Sequence, residues 1–294
     1  MALRFRPLHA SFGAEVIGAD LASDLDDATI EQIEAAWLRY SILLFRDVAM
    51  TPAQHVAFTR RLGPLHVMEP LEFNLPGFPE VMVASNIEKD AKPIGMKRAG
   101  WGWHSDGEDK VLPNAGSFLY ALELPPTDGD TLYADTYAAF AALTDDVRAR
   151  IMGRRACFSR QRFHQVYYPH LPPLTEEQKK ARPDVWQPIA RHHPKSGWTS
   201  LYIGRWAYRI EGMPDNEAGE LIEYLKDFAT RPEFVYRHRW RVGDALLWDN
   251  RCTQHCATPF DDTKYTRLMH RTTLEGEKPL MAERPVPRPQ MAMA

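Results

Sequence analysis

A histidine and an aspartate two residues apart are the first residues in this chain that suggest metal chemistry. They end the segment Gly100–Asp106, which reads Gly-Trp-Gly-Trp-His-Ser-Asp. Side chains two residues apart on an extended backbone point to the same side, so His104 and Asp106 can bind one ion. A third ligand is available from His255, which follows the apolar run Ala245–Trp248. Two imidazoles and one carboxylate on one face of an octahedron leave three positions open, as in non-haem Fe(II) oxygenases.

Two arginines near the C-terminal end add a complementary charge. Arg267 and Arg271 are four residues apart, so both side chains lie on one face if this segment is a strand. Buried guanidinium groups need anionic partners, and their planar fork matches a carboxylate. A metal with two adjacent free positions beside an arginine is what a chelating 2-oxo acid requires. These residues therefore predict a metal site that also binds an organic acid.

Two other interpretations of these residues stay open. A chain with eleven histidines contains about one His-x-Asp pair by chance, and such a pair can simply be solvated. Cys252 and Cys256 flank His255 and suggest zinc, but the third cysteine, Cys157, is remote and no second pair completes a structural tetrahedron. We interpret the cysteines as small apolar residues of a buried strand.

The composition is that of a globular protein without a nucleic-acid or membrane partner. The 294 residues are 44% hydrophobic and 26% charged, which allows a large core in one β-rich domain. The formal net charge of −3 argues against nucleic acids and anionic membranes as partners. No apolar run predicts a transmembrane helix, and residues 1–7 lack the apolar core of a signal peptide. We therefore expect a cytoplasmic protein.

Short strands predominate among the predicted elements. Apolar runs and alternation predict a strand pair within 12–21 and strands at 41–46, 81–84, 117–122, 131–134, 198–203, 234–240, 245–248 and 266–274. Helical spacing predicts helices at 27–38, 52–62, 136–143, 145–152 and 215–229. Residues 169–188 are rich in proline and charge and indicate a surface insertion.

This order of elements predicts an α+β, mainly β fold with a double-stranded β-helix (jelly-roll) core and helical decoration. We expect one domain over residues 1–280. The proline-rich tail, residues 281–294, is expected to be extended or disordered.

Several motifs resemble the TauD/TfdA family of Fe(II)- and 2-oxoglutarate-dependent dioxygenases. The similarity extends to Lys278 and is most specific in the C-terminal block. The matching segments are Trp103–Asp106, Leu124–Thr131, Trp248–His255 and Arg267–Thr273, with weaker similarity at Phe45–Asp47 and His193–Gly197. The resemblance implies Fe(II) as the metal, with 2-oxoglutarate and O2 as co-substrates.

The resemblance also implies roles for single residues. The Fe(II) ligands would be the two histidines and the aspartate, His104, Asp106 and His255. Thr131 and Arg267 would bind the distal carboxylate of 2-oxoglutarate, and Arg271 would lie near the anionic group of the substrate or assist the co-substrate. The segment Trp248–Asn250 would hold the ligands in place. The implied reaction gives succinate and CO2 and hydroxylates a substrate carbon, often one that bears a heteroatom.

The expected substrate is a small organic acid. The taurine enzymes of this family bind the sulfonate with a histidine two residues beyond the position that matches His66, and here that place is taken by Met68, which argues against taurine. Trp101 and Tyr208 indicate an apolar or aromatic substrate body. We expect an aryloxyalkanoate, an alkyl sulfate or sulfonate, or an N-substituted amino acid. The candidate substrate residues are His66, Asn86, Lys97, Arg98, Tyr120, Arg205, Trp206 and Arg271.

Alternatives stay open for the function and for some of these residues. The same iron chemistry serves biosynthetic desaturases and cyclases, and the same fold can bind a metal or ligand without catalysis. Lys97 and Arg98 also fit a solvated loop, and His66 also fits a structural histidine. Because relatives often form dimers or tetramers, we expect a homo-oligomer.

Overall fold

Helices and strands are interspersed along the residues that the computed structural model describes, which are 3–69, 71–169 and 171–290. The α-helices are α1 Asp27–Tyr40, α2 Pro52–Leu62, α3 Thr136–Ala142, α4 Asp145–Ile151, α5 Arg160–Tyr167, α6 Glu176–Ala181 and α7 Asp215–Ala229, with short 3-10 helices at Leu71–Phe73 and Pro232–Phe234.

The strands are β1 Arg4–Pro7, β2 Ala14–Ile17, β3 Ile42–Phe45, β4 Asn74–Leu75, β5 Phe78–Ser85, β6 Glu88–Lys89, β7 Lys92–Pro93, β8 Gly116–Glu123, β9 Thr131–Asp135, β10 Arg155–Phe158, β11 Val185–Pro188, β12 Ala190–His192, β13 Thr199–Leu201, β14 Ala207–Ile210, β15 Val235–His238, β16 Ala245–Asp249, β17 Thr253–Ala257, β18 Leu268–Leu274 and β19 Leu280–Met281. Together with the helices they form a mixed α/β fold.

The major sheet has eight strands in the order β1-β2-β3-β16-β8-β18-β5-β4. The β2–β3 pair is parallel and the other pairs are antiparallel. Strand β16 is buried along its whole length because the sheet is covered on both faces. Its Trp248 pairs with Ser117 of β8, which pairs in turn with Thr273 of β18.

Helices α1 and α2 cover the outer face of the major sheet. Trp37 of α1 and Phe58 of α2 join Phe45 and Phe118 of the sheet in one buried cluster. Helix α2 begins at Pro52, where the sequence predicts its start, and it carries a capping box formed by Thr51 and Gln54. This packing supports the strands that hold the candidate site from behind.

A minor sheet of three strands, β15-β9-β17, packs against the inner face of the major sheet. The rings of Tyr133 on β9 and Trp248 on β16 are 5.7 Å apart across this interface. In the antiparallel β9–β17 pair, Tyr133 lies opposite His255, and Thr131 lies opposite Ala257. The candidate ligand His255 therefore lies between the two sheets.

The C-terminal half forms a further core around α3 and α7. The apolar face predicted for 215–229 is buried there, with Leu221, Ile222 and Leu225 in the cluster. Residues 281–290 of the predicted tail run extended over this half, and Arg288 forms an ion pair with Asp135. The last residues of that tail, 291–294, lie outside the described residues.

The insertion predicted at 169–188 contains structure that the sequence pattern did not reveal. Helix α6 within it has no buried residue, whereas β11 pairs with β10. The helix α5 that precedes the insertion was also not predicted. None of the helices in the described residues is long and apolar enough to cross a membrane.

Candidate metal and co-substrate site

The three predicted metal ligands lie together beside strand β17. His104 forms an isolated bridge with His255, in which the two backbone N–H···O distances are 3.1 and 2.8 Å. The Nε2 atoms of both imidazoles lie 3.9 Å from Oδ1 of Asp106. All three side chains are buried, and the ligand atoms that they offer lie within 4.8 Å of one another. The structure thus brings together two segments that are far apart in the sequence.

The backbone before His104 orients its imidazole. Nδ1 of His104 lies 2.8 Å from the carbonyl oxygen of Gly102, so Nδ1–H donates there and Nε2 presents its lone pair to the site. Gly102 has a φ of +78°, a left-handed conformation that strains any residue with a Cβ. Glycine at this position therefore permits the backbone conformation from which the carbonyl of residue 102 accepts the hydrogen of His104 Nδ1.

Burial keeps the imidazoles neutral, while neighbouring cations keep the carboxylate ionised. Burial lowers the pKa of His255 to about 4. Burial, with a smaller effect of the Arg205 charge, lowers the pKa of His104 well below its usual value. Burial opposes ionisation of Asp106, but the Arg271 guanidinium and the hydrogen bond from Ser117 favour the ionised form, and the pKa of this carboxyl is lowered. Neutral imidazoles and an ionised carboxylate are the forms that bind a divalent metal.

Both oxygens of Asp106 are held by protein donors. Ser117 Oγ donates to Oδ2 at 2.7 Å, and Arg271 Nη1 donates to Oδ1 at 3.0 Å. The side chain of Asn250 connects this arrangement, since its Oδ1 accepts from the Asp106 amide at 3.1 Å and from Trp248 Nε1 at 2.9 Å, and its Nδ2 donates to Ser117 Oγ at 3.3 Å. The carboxylate is therefore oriented before any metal binds.

A second buried group of metal-binding residue types consists of His193, Asp249 and Cys252. Its carboxylate is already satisfied, because His193 Nε2 donates to Asp249 at 3.0 Å and Arg251 donates through Nε and Nη2 at 2.8 and 2.7 Å. Arg251 and His193 outweigh burial and lower the pKa of Asp249. We interpret this group as a structural network that anchors the turn into β17.

The cysteines do not join the site around His255. All three are free, with Cys157 and Cys252 buried and Cys256 half-buried. Among the described residues, the group of potential metal ligands that contains His255 includes no cysteine. The geometry therefore gives no support to a zinc site built from Cys252, Cys256 and His255.

The two residues predicted to bind the distal carboxylate of 2-oxoglutarate both lie next to Ala257. Thr131 is directly opposite Ala257 in the β9–β17 pair, and Arg267 lines a cleft together with Ala257. Trp240 Nε1 donates to the Thr131 hydroxyl oxygen at 2.9 Å, so the hydroxyl can direct its own hydrogen at a ligand. Ala257 is two residues beyond His255, so these groups lie close to the candidate metal ligands.

Arg267 is a cation in need of an anion. Burial lowers its pKa to about 10, and its Nε atom is buried without a hydrogen-bond partner in the part of the chain that the structure describes. A buried guanidinium nitrogen without a partner is costly, and a carboxylate that accepts from two guanidinium nitrogens satisfies it. This arrangement fits the distal carboxylate of 2-oxoglutarate.

Two of the predicted substrate residues, His66 and Arg271, lie on the metal side of the site. One amino group of Arg271 contacts Asp106, and the other lies 2.9 Å from the sulfur of Met68. His66 Nε2 lies 2.9 Å from Nζ of Lys110. Burial lowers the pKa of Lys110, and burial together with this ammonium lowers the pKa of His66. Lys110 was not identified from the sequence, where it is one lysine in a polar loop.

The predicted pair Arg205 and Trp206 forms an aromatic-lined wall. The Arg205 guanidinium lies 4.9 to 5.3 Å from the ring centroids of Trp206, Tyr167 and Tyr168. It also donates to the Tyr168 hydroxyl at 2.6 Å and to the Trp101 carbonyl. Because Arg205 lowers the pKa of both candidate histidine ligands, its charge is close to the metal site.

Tyr120 points away from the site. Residues alternate between the faces of β8, and Ser117 on the inner face contacts Asp106. Tyr120 belongs to the outer-face cluster beneath α1 and α2, where its hydroxyl donates to the Val48 carbonyl at 2.9 Å. Its placement therefore indicates a packing role in place of the substrate contact expected from the sequence.

The remaining predicted substrate residues lie around the outer cleft. Asn86 Nδ2 donates to the carbonyls of Asp262 and Tyr265, and its Oδ1 accepts from the Arg267 amide, so this side chain braces the loop before β18. Arg98 lines the cleft and pairs with Asp262 at 2.8 Å, and Lys97 is exposed. These residues are not brought together with His66 and Lys110.

Comparisons with known proteins identify the family to which this chain belongs. The family described as "Taurine catabolism dioxygenase TauD, TfdA family" matches residues 4–273. An (S)-phenoxypropionate/alpha-ketoglutarate-dioxygenase of Sphingobium herbicidovorans is 36% identical over 92% of this chain and 94% of its own. An alpha-ketoglutarate-dependent 2,4-dichlorophenoxyacetate dioxygenase of Cupriavidus pinatubonensis is 33% identical over 94% and 99% of the two chains.

A solved structure of a taurine dioxygenase from Burkholderia xenovorans superimposes with a TM-score of 0.80 at 32% identity, covering 95% of this chain and 91% of that one. The family match spans nearly the whole chain, and the relatives share its length. This protein therefore belongs to the TauD/TfdA family and is an α-ketoglutarate-dependent dioxygenase, an oxidoreductase.

Proposed function

We propose that His104, Asp106 and His255 bind Fe(II), and that Thr131 and Arg267 bind the distal carboxylate of 2-oxoglutarate. The observation that carries this proposal is the combination of a His-Asp-His group whose imidazoles are neutral with a nearby half-buried arginine, Arg267, whose Nε atom is buried without a hydrogen-bond partner among the described residues. When bound, the iron supplies the activation of O2 and the oxidative decarboxylation of 2-oxoglutarate to succinate and CO2.

The side chains of the protein position the reactants around that metal. Ser117 and Arg271 hold the Asp106 carboxylate in place, so less conformational entropy is lost on metal binding. Arg267 anchors the far end of 2-oxoglutarate and orients its 2-oxo acid end toward the ligands. The apolar lining provided by Trp248 and Tyr133 excludes water from the buried side.

We also infer that the two facing sheets form the double-stranded β-helix, or jelly roll, that the sequence predicts. In support, the antiparallel strands β16, β8, β18 and β5 form one wall and β15, β9 and β17 form the other. The candidate ligands lie between these walls, where such a fold places its site. The single domain over residues 1–280 is part of the same proposal.

The anionic head of the substrate is proposed to bind near Arg271, with His66 and Lys110 alongside. Arg271 uses one amino group on Asp106, while the other contacts the thioether of Met68, a weak acceptor. A carboxylate, sulfate or sulfonate group is a stronger partner for this guanidinium and for the Lys110 ammonium.

The substrate is proposed to be a small organic acid that is hydroxylated next to a heteroatom, either an aryloxyalkanoate, an alkyl sulfate or sulfonate, or an N-substituted amino acid. The aromatic rings around Arg205 suit an aryl body. The relatives named for phenoxypropionate and 2,4-dichlorophenoxyacetate favour the first of these classes. Met68 beside Arg271 argues against taurine.

The protein is further proposed to act in the cytoplasm as a homo-oligomer, a dimer or a tetramer. Three free cysteines suit a reducing compartment. The oligomeric state rests on the family resemblance, and light scattering on the purified protein measures it directly.

Succinate release tests the proposed function. Wild-type protein is loaded with Fe(II) without oxygen, then given 2-oxoglutarate, O2 and a panel of aryloxyalkanoates, alkyl sulfates and N-substituted amino acids. We expect slow succinate formation that one acid accelerates, and only background formation in His255→Ala. The half-buried His192 on β12 supplies a control variant, His192→Ala, which should behave like the wild type.

The mass of the product separates hydroxylation from desaturation or cyclisation. Absence of succinate from Fe(II)-loaded wild type under every condition would contradict the proposal and favour a protein that binds its ligand without catalysis.

A further inference from the structure

Tyr133 is a buried residue whose hydroxyl has no hydrogen-bond partner within the described part of the chain. Its side chain is fully buried, with 0% exposed, and no described residue makes a hydrogen bond with its hydroxyl. The ring is held firmly, since it packs 5.7 Å from the Trp248 ring and stacks 6.1 Å from the imidazole of His255 at an interplanar angle of 25°. A buried hydroxyl without a partner is destabilising, so its presence requires an explanation.

The backbone places Tyr133 on the face of β9 that carries Thr131. Side chains two residues apart in a strand point the same way, and across the β9–β17 pair these two residues lie opposite His255 and Ala257. The tyrosine is therefore on the metal side of the sheet, next to the groups proposed to bind 2-oxoglutarate.

The Tyr133 hydroxyl and the Arg267 guanidinium are close enough to affect each other's ionisation. An ionised Tyr133 would favour the charged form of Arg267, and Arg267 would favour ionisation of Tyr133, so the two groups are neighbours; burial nevertheless raises the pKa of Tyr133 well above its usual value, and its hydroxyl keeps its hydrogen. The Nε atom of Arg267 is also unpaired among the described residues. Two neighbouring donors, both buried and both without an acceptor, indicate one anion that serves both.

We propose that the Tyr133 hydroxyl donates a hydrogen bond to the distal carboxylate of 2-oxoglutarate, as a third donor beside Thr131 and Arg267. This inference rests on the proposed co-substrate site and adds a binding residue to it. The carboxylate accepts from two hydroxyls and one guanidinium, which matches the acceptor capacity of its two oxygens. The tyrosine thereby contributes to the selection of a dicarboxylic 2-oxo acid over a monocarboxylic one.

Tyr133→Phe tests the proposal, because it removes the hydroxyl and keeps the ring. Calorimetric titration of Mn(II)-loaded protein without oxygen measures the Kd of 2-oxoglutarate and of 2-oxopentanoate, which has a methyl group in place of the distal carboxylate. We expect the Kd of 2-oxoglutarate to rise about ten-fold or more, as for loss of a hydrogen bond to a charged group. The Kd of 2-oxopentanoate should stay within about two-fold of the wild-type value.

Tyr236→Phe is the matched control. Tyr236 lies directly opposite Tyr133 in the β9–β15 pair, and its hydroxyl is already occupied 3.1 Å from His238 Nδ1. This variant should leave both Kd values unchanged. Thermal melting of the ligand-free proteins adds a second readout: Tyr133→Phe should melt no lower than the wild type, since it removes a hydroxyl that is unsatisfied without the co-substrate.

Different results overturn different claims. An unchanged Kd of 2-oxoglutarate in Tyr133→Phe, or an equal loss of affinity for both acids, would overturn the role of the hydroxyl while leaving the co-substrate site intact. Failure of the Mn(II)-loaded wild type to bind 2-oxoglutarate would instead contradict the proposed function.

Discussion

The carboxylate of Asp106 is the proposed metal ligand that the surrounding residues constrain most directly. Ser117 holds one oxygen and Arg271 the other, while Asn250 ties Ser117 to the backbone of Asp106. A carboxylate oxygen has two lone pairs, so each oxygen can accept one of these bonds and still face a metal. A neutral donor, Ser117, and a cationic donor, Arg271, thus fix the orientation of the Asp106 carboxylate together.

Ser117→Ala is expected to weaken metal binding by about 10- to 100-fold, the usual effect of removing a hydrogen bond that orients a ligand. Competition with a coloured chelator measures the Kd of Fe(II) or Mn(II). Ser105→Ala is the matched control, because Ser105 lies between two ligands in sequence but its hydroxyl donates to the Thr253 carbonyl at 2.8 Å. Equal metal affinity in Ser117→Ala and wild type would show that Arg271 alone orients the carboxylate.

The sequence identifies the candidate metal ligands more readily than the residues around them. His104, Asp106 and His255 form a recognisable pattern because metal binding demands particular side chains at particular spacings. Ser117 and Lys110 carry no such pattern, since any strand or loop can contain a serine or a lysine. Tyr120 shows how one known contact corrects such a prediction. It is an odd number of residues from Ser117 in β8, so the two side chains lie on opposite faces of the strand. Once Ser117 is known to face inward, Tyr120 must face outward.

At the scale of elements, two helices of this protein begin with the same cap and differ in what they bury. Thr51 and Gln54 form a capping box at α2, and Thr175 and Gln178 form one at α6. Helix α2 buries Val56, Phe58 and Leu62 against the major sheet.

No residue of α6 is buried. The stability of α2 is therefore coupled to the core, whereas α6 can unfold locally without disturbing it.

Thr51→Ala is expected to lower the free energy of unfolding by about 1 kcal/mol, the usual cost of losing an N-cap. In a protein of this size that corresponds to roughly 2 °C in Tm. Thr175→Ala removes the same cap from α6 and should leave the Tm unchanged. Thermal melting of both variants by circular dichroism makes the comparison, and equal losses would mean that α6 unfolds together with the core.

Elements with a large buried face are those that the sequence predicts well. Helix α7 has the predicted bounds, 215–229, because its apolar stripe packs on the C-terminal core. Helices α5 and α6 were missed, since α5 buries only His164 among its eight residues and α6 buries none. Short elements of this kind depend on their caps and tertiary contacts, so the hydrophobic period carries little information about them.

At the scale of the whole molecule, buried imidazoles connect the core to the pH of the solution. His55 on α2 is buried between the helix and the major sheet, with its ring 5.1 Å from that of Phe118 and Nε2 3.0 Å from the Thr272 hydroxyl. Burial, with a smaller effect of His270, lowers the pKa of His55 to about 3. The folded protein therefore holds this imidazole neutral where an unfolded chain would protonate it.

The sign of the effect follows from the protons bound in each state. Between about pH 6.5, the usual pKa of histidine, and the folded-state value, the unfolded chain binds a proton that the folded protein does not. The contribution of neutral His55 to the free energy of unfolding is therefore fully present above pH 6.5. Below that pH it falls by about 1.4 kcal/mol per pH unit as the pH decreases. Urea unfolding from pH 8 to pH 4, in the presence of a metal chelator, measures this slope.

His55→Gln should be less stable than the wild type at pH 8, because a glutamine replaces the ring in a packed core. Its free energy of unfolding should nevertheless fall less steeply than that of the wild type below pH 6.5. The curves of free energy against pH for the two proteins therefore converge toward acid pH, whereas above pH 7 they run parallel. Other buried histidines titrate in both proteins and cancel in the difference. Curves that stay parallel down to pH 4 would mean that His55 is protonated within the fold, and that the α2–sheet interface opens to admit water before the protein unfolds.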